Sequence, residues 1–84
     1  MIVYSKPNCS ACEQAKHLLK RAGVSFEVIN LDVGQDKSPT EAYISRDNLL
    51  AMFPGAKTMP QIMTDDGAKI GSVLELSKYL MATA

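Results

Sequence analysis

Two cysteines separated by two residues, Cys9-Ser10-Ala11-Cys12, stand where a short apolar run gives way to an amphipathic one, and this junction restricts the chain more than any other feature. Ile2 to Ser5 reads as a buried strand and Lys6-Pro7-Asn8 as a turn, so a helix begins near Cys9. Ala11, Ala15, Leu18 and Ala22, with Leu19 beside them, give that helix an apolar face, while Gln14, Lys16, Lys20 and Arg21 fill the opposite side. Gly23 then ends it as a left-handed cap.

Beyond Gly23, Phe26, Val28 and Ile29 predict a second strand, and Asn30, Asp32, Gly34 and Asp36 have the composition of a loop. Ser38-Pro39-Thr40-Glu41 has the form of a helix start: a capping serine, a proline at the first helical position and a glutamate that completes a capping box. A helix from there would turn Ala42, Leu49, Leu50 and Phe53 toward the core until Pro54-Gly55 ends it. Pro60 to Met63 and Ala68 to Ile70 are short strands joined by Asp65-Asp66-Gly67, an antiparallel hairpin signal. Val73, Leu76 and Leu80 mark a last amphipathic helix. The expected order is therefore βαβαββα, an α/β arrangement in which a right-handed crossover makes the first two strands parallel.

With 84 residues the chain has room for one domain, residues 1–84, since two halves would each be too small to bury an adequate core. Nine basic residues balance nine acidic ones, so the overall charge offers no field for nucleic acid. The opening apolar run is cut by Lys6-Pro7 well short of a signal-peptide core or a membrane span, which leaves no membrane partner and the cytoplasm as the expected location. Two cysteines also fall short of the several bridges that hold small secreted domains together.

Thiols three positions apart at a helix start share a face, with β-carbons roughly 5–6 Å apart, so they can pass between dithiol and disulfide with little rearrangement. Unpaired backbone N–H groups and the positive end of the helix dipole favour thiolate at Cys9. Cys12, one turn further in, is expected to be more buried and to attack a mixed disulfide once Cys9 has formed one. Lys6 adds positive potential, whereas Glu13 opposes it unless paired with Lys16 or His17. A zinc site would need two more ligands, and the one histidine, His17, does not converge with the cysteines, so no metal site is expected. Two inert, buried cysteines are the plain alternative, disfavoured by their place after an exposed turn.

Tyr4-Ser5-Lys6-Pro7-Asn8-Cys9 with Cys12, followed by Gly55-Ala56-Lys57-Thr58-Met59-Pro60-Gln61 and Ile70-Gly71, resembles the glutaredoxin branch of the thioredoxin superfamily over nearly the whole chain. The compact length, Met59-Pro60 and the Asp-Gly hairpin are also similar to bacteriophage members. The resemblance implies a thioredoxin-like fold with a four-stranded mixed sheet and three helices. It also implies a cis Met59–Pro60 bond beside the cysteines, exposing the N–H and C=O of Met59 so that glutathione can pair with it as an added strand. Lys6 and Lys57 match positions that bind the glycine carboxylate of glutathione, and Thr58, Met59 and Pro60 line the same site. Gly71, Ser72 and Glu75 match the region holding the γ-glutamyl end, with backbone N–H groups at the last helix start meeting its carboxylate and Glu75 near its ammonium.

Two departures stand out. Ser10 and Ala11 replace the proline and aromatic found between the cysteines in many members, and Ser72 and Leu74 replace a second glycine and a polar residue. The activity implied is glutathione-dependent reduction of protein disulfides and glutathione mixed disulfides by a monomer, with glutathione as reductant and no permanently bound cofactor. Disulfide-containing proteins, ribonucleotide reductase among them, would be the partners. The alternatives are an iron–sulfur carrier using Cys9 from two chains with two glutathione thiols, a thioredoxin-like protein reduced by a flavoprotein, and a redox-inert binding module.

Overall fold

The computed structural model describes residues 1–56 and 58–83. Among these, five strands and three helices follow one another as β1 (Ile2–Ser5), α1 (Ser10–Arg21), β2 (Glu27–Leu31), β3 (Ala42–Ile44), α2 (Arg46–Met52), β4 (Gln61–Met63), β5 (Lys69–Gly71) and α3 (Val73–Thr83). They form one mixed sheet in the order β3-β2-β1-β4-β5. β1 pairs parallel to β2 and antiparallel to β4, placing it at the centre.

The central strand explains the layering. Successive side chains of a strand point to opposite faces, and in β1 both faces are covered, Val3 being 0% and Tyr4 3% exposed. Val3 joins Ala15 and Leu19 of α1, Ile62 of β4 and Leu76 of α3 in one core cluster. Tyr4 joins Leu31, Leu49 and Phe53 in a second cluster on the side where α2 packs. The ring of Phe53 meets that of Tyr4 edge-on, centroids 5.3 Å apart, a favoured aromatic geometry.

In α1 the sheet-facing stripe is Cys12, Ala15 and Leu19, while Ala11 and Leu18 are half-buried and Ala22 is exposed. The stripe thus keeps Ala15 and Leu19 of the expected face and is rotated toward Cys12, which packs as a small apolar residue. Gly23, at φ 72°, ends the helix as expected. Its N–H bonds to the Lys20 carbonyl at 3.1 Å and that of Val24 to the Leu19 carbonyl at 3.0 Å, the paired bonds of a Schellman cap.

The second helix departs from expectation, and with it the four-stranded sheet. Ser38-Pro39-Thr40-Glu41 does not open a helix; Ser38 donates its N–H to the Tyr43 hydroxyl and Tyr43 in turn donates to Glu41. The chain runs on into β3, which pairs parallel to β2 as a fifth, edge strand. Helix α2 begins at Arg46, capped by Ser45, whose Oγ accepts from the Asn48 N–H at 3.2 Å. Consequently Ala42 and Leu50 are exposed, whereas Leu49 and Phe53 are buried as expected. The physical reason is that Tyr43-Ile44 gains more from ladder bonds and sheet packing than the local capping pattern offers.

The hairpin forms where predicted, with Gly67 at φ 93° and the Thr64 N–H bonded to the Ala68 carbonyl at 2.8 Å. The register between β4 and β5 shifts at Ile62/Met63, so that Gly71 lies opposite Ile62 and Lys69 opposite Met63. Ala68 precedes rather than begins β5. Among the described residues no helix is long and apolar enough to cross a membrane.

Candidate functional site

The cysteine pair hangs from the end of the central strand. Ser5 closes β1 fully buried, and Lys6, Pro7 and Asn8 turn outward into solvent. Asn8 adopts φ 55°, a left-handed conformation that asparagine tolerates better than most residues, and this reverses the chain so that Cys9 arrives at the head of α1.

Cys9 is the N-cap itself. Its backbone is extended and its Sγ accepts the N–H of Cys12 at 3.2 Å. Caps are ordinarily oxygen-bearing residues; here a sulfur takes the place and receives an N–H from the first turn of α1. Cys9 and Cys12 are joined as a disulfide with Cα atoms 5.3 Å apart, within the usual span of such a bond. Cys9 is half-buried and Cys12 fully buried, which matches the expected contrast between them. Glu13 is paired with Lys16 at 3.1 Å, and His17 is exposed on the helix surface.

Met59–Pro60 is cis. The Met59 carbonyl lies 3.8 Å from Cys9 Sγ, so the bend and the disulfide adjoin. Gln61 holds the bend from behind by donating its side-chain amide to the Thr58 carbonyl at 2.9 Å, and Pro60 is buried beneath it.

Two depressions flank this segment. One, of about 100 Å³, brings Lys6, Thr58 and Met59 together with Arg46 at the start of α2. The other, of about 460 Å³, runs from Phe53 past Thr58 to Lys69 and Gly71. Arg46 was not among the expected site residues. A helix read from Ser38 leaves Arg46 in its interior; Ser45 as the true cap is the signal that would have placed it at a helix start.

Glu75 and Ser72 form one half of a capping box at the start of α3, the Glu75 carboxylate reaching back to Ser72. The Ser72 hydroxyl donates to Glu75 Oε1 at 2.9 Å and the Ser72 N–H at 3.3 Å. These two bonds, the hydroxyl first, hold the Glu75 carboxyl below its ordinary value. They also occupy the Ser72 N–H, one of the groups expected to meet a ligand carboxylate. Gly71 sits against this box at φ 118°, where an added Cβ would lie 2.9 Å from Glu75 Oε1 and 3.2 Å from its Cβ. The structure therefore gathers Cys9, Cys12 and Met59 at one point, Lys6, Thr58 and Met59 around one pocket, and Gly71, Ser72 and Glu75 beside the neighbouring groove. Lys57 lies outside the described residues. Among the described residues no group of three or more His, Cys, Asp or Glu is gathered as a metal site.

The glutaredoxin family model matches residues 1–68, from β1 through the cis proline to the hairpin. The chain belongs to the glutaredoxin family. Its α/β architecture is the thioredoxin-like fold of that family, with β3 added at the sheet edge. A glutaredoxin of Vernicia fordii is 36% identical over 62 residues, covering 74% of this chain and 54% of the relative. Glutaredoxin-C6 of Oryza sativa subsp. japonica is 32% identical over 71 residues, 84% of this chain and 57% of its own length. Glutaredoxin-C1 of Arabidopsis thaliana is 30% identical over 81 residues, 93% of this chain and 59% of its own length. The chain thus spans little more than half the length of these curated relatives.

Proposed function

We propose that the protein is a glutathione-dependent thiol–disulfide oxidoreductase that reduces protein disulfides and glutathione mixed disulfides through Cys9 and Cys12. One observation carries the reading: Cys9 is a half-exposed N-cap whose Sγ receives a backbone N–H of α1 and adjoins the Met59 carbonyl.

In the reduced protein that same N–H and the dipole of α1 stabilise an anion at Cys9 Sγ. The thiolate attacks one sulfur of a substrate disulfide, forming a mixed disulfide and releasing the other sulfur as a thiolate that takes up a proton. Cys12, freed of its proton, then attacks Cys9 Sγ, expelling the second substrate thiol and leaving the intramolecular disulfide. One glutathione thiolate opens that disulfide at Cys9 and a second removes the first as oxidised glutathione, so two glutathiones supply the two electrons. Met59 offers its backbone to the peptide part of either substrate as an added strand. Lys6, Lys57 and Arg46 meet the glycine carboxylate beside Thr58 and Pro60, while Gly71, Ser72 and Glu75 hold the γ-glutamyl end. The protein acts as a monomer in a reducing compartment such as the cytoplasm, on disulfide-bearing proteins. Ribonucleotide reductase is one acceptor the resemblance suggests.

The test is a coupled assay following NADPH consumption with glutathione, glutathione reductase and a mixed-disulfide substrate, repeated with thioredoxin reductase in place of the glutathione system. Turnover in the first and none in the second, abolished in Cys9→Ser, is the expected outcome. Silence with glutathione, or undiminished turnover in Cys9→Ser, overturns the reading.

A further inference from the structure

The larger depression beside the cis proline has no role in the chemistry just described beyond its rim at Thr58 and Gly71. It shares Ala56 and Thr58 with the pocket containing Lys6 and Arg46, so the two lie on either side of one segment of chain. A tripeptide paired with Met59 would be short for such a track, whereas a longer polypeptide in the same pairing advances by about 3.3 Å per residue and runs on past its rim.

The charge of that track is one-sided. Among the described residues lining the larger groove, the single charged side chain is Lys69, and neither depression is lined by a carboxylate. Lys69 Nζ sits 5.6 Å from the centroid of the Phe53 ring, within the range of a cation–π contact. The ring is itself buried against Tyr4, so the exposed ammonium has a fixed aromatic surface beside the groove. Glu75 lines a separate pocket with Lys69 and Tyr79 and already has Oε1 engaged by Ser72.

We propose that the groove between Phe53 and β5 is a subsite for polypeptide substrates, in which Lys69 receives an aspartate or glutamate side chain flanking the substrate's reactive cysteine. The inference rests on the oxidoreductase reading and names the substrate class that site prefers: cysteines in acidic surroundings. The groove's volume of about 460 Å³ accommodates a side chain with its neighbouring backbone.

The test uses two peptides that differ only in carrying Glu or Gln on both sides of one cysteine, each presented as its glutathione mixed disulfide. The Glu peptide is expected to have a KM roughly two- to five-fold lower than the Gln peptide at low salt, the scale of one exposed ion pair. That advantage should shrink as salt is raised. Lys69→Gln should erase it without changing kcat, and Lys69→Arg should retain it. Turnover of the mixed disulfide of glutathione with mercaptoethanol should be the same in all three proteins. Equal KM values for the two peptides, or a preference that persists in Lys69→Gln, overturns the subsite. If the mercaptoethanol substrate is not turned over at all, the activity reading fails. The subsite is then judged by equilibrium binding of the two peptides with serine in place of cysteine, where the same preference and the same loss in Lys69→Gln are required.

Discussion

Replacing Gly71 by alanine should be among the more damaging single substitutions at the protein surface. At φ 118° an L side chain is strained whatever space surrounds it, at about 1–3 kcal/mol. Here there is no space: the new Cβ would meet Glu75 Oε1 at 2.9 Å, Cγ at 3.1 Å and Cβ at 3.2 Å. Only the first of these is the far end of a flexible chain, so the start of α3 must shift, and overpacking of this kind adds about 1–3 kcal/mol. The sum, roughly 2–6 kcal/mol, is a large share of the stability of a domain this small. It corresponds to a fall in Tm on the order of 10–50 °C. Gly55 supplies the control. It also has a positive φ, 79°, but nothing lies within 4 Å of its added Cβ, so Gly55→Ala shares the backbone strain and the entropic gain of losing a glycine without the collision. Thermal and denaturant unfolding of both variants should show Gly71→Ala clearly the worse, and its cost should shrink in a Glu75→Ala background. Equal destabilisation of the two, or strict additivity with Glu75→Ala, would refute the steric argument.

Alkylation of reduced Cys12→Ser across a pH series should place the ionisation of Cys9 below the ordinary free-thiol range and give a rate at neutral pH roughly several-fold above that of free cysteine; a free-thiol profile would remove the basis for Cys9 as nucleophile. The same variant should still turn over glutathione mixed disulfides but fail on an intramolecular protein disulfide, since that second step belongs to Cys12. Ser45→Ala, which deletes the α2 cap, should cost about 1 kcal/mol in urea unfolding, and an unchanged midpoint would dismiss the cap. The bonds from Ser72 lower the Glu75 carboxyl in the folded state. Its contribution is therefore present above the unfolded value and disappears as pH falls through the lowered folded one. Stability measured against pH should show the gap between wild type and Glu75→Gln closing in acid below the ordinary carboxylate range, and a gap independent of pH would contradict the assignment.

The first third of the chain, before Asn30, was largely legible, because its signals are local and agree: a strand, a turn, two cysteines at a helix start and a glycine at its end. The cis bond and the strand-pairing edge at Met59 were reachable only through resemblance, since nothing in the pattern of side chains separates a cis from a trans proline. The middle of the chain misled for a specific reason. Ser38…Glu41 and Ser72…Glu75 carry the same capping spacing, yet only the second caps a helix. What decides between them lies far off in sequence: β2 offers Ala42 to Ile44 a ladder to join, while β5 delivers Ser72 to a helix whose Leu76 fills the core beside Val3. Arg46 was lost with the same misreading. The Lys69 groove could not be foreseen, because it depends on where Phe53 ends up relative to the sheet edge.

One sulfur both caps α1 and, in the proposed mechanism, carries the exchange of electrons, and this ties two properties that are usually discussed apart. Any substitution that strengthens the hold of the helix on the charged form of Cys9 stabilises the reduced fold relative to the oxidised one. By thermodynamic cycle it makes the protein a weaker donor and a stronger acceptor by the same increment. Redox character is in that sense written into helix geometry, and it can be tuned from the backbone without touching either thiol.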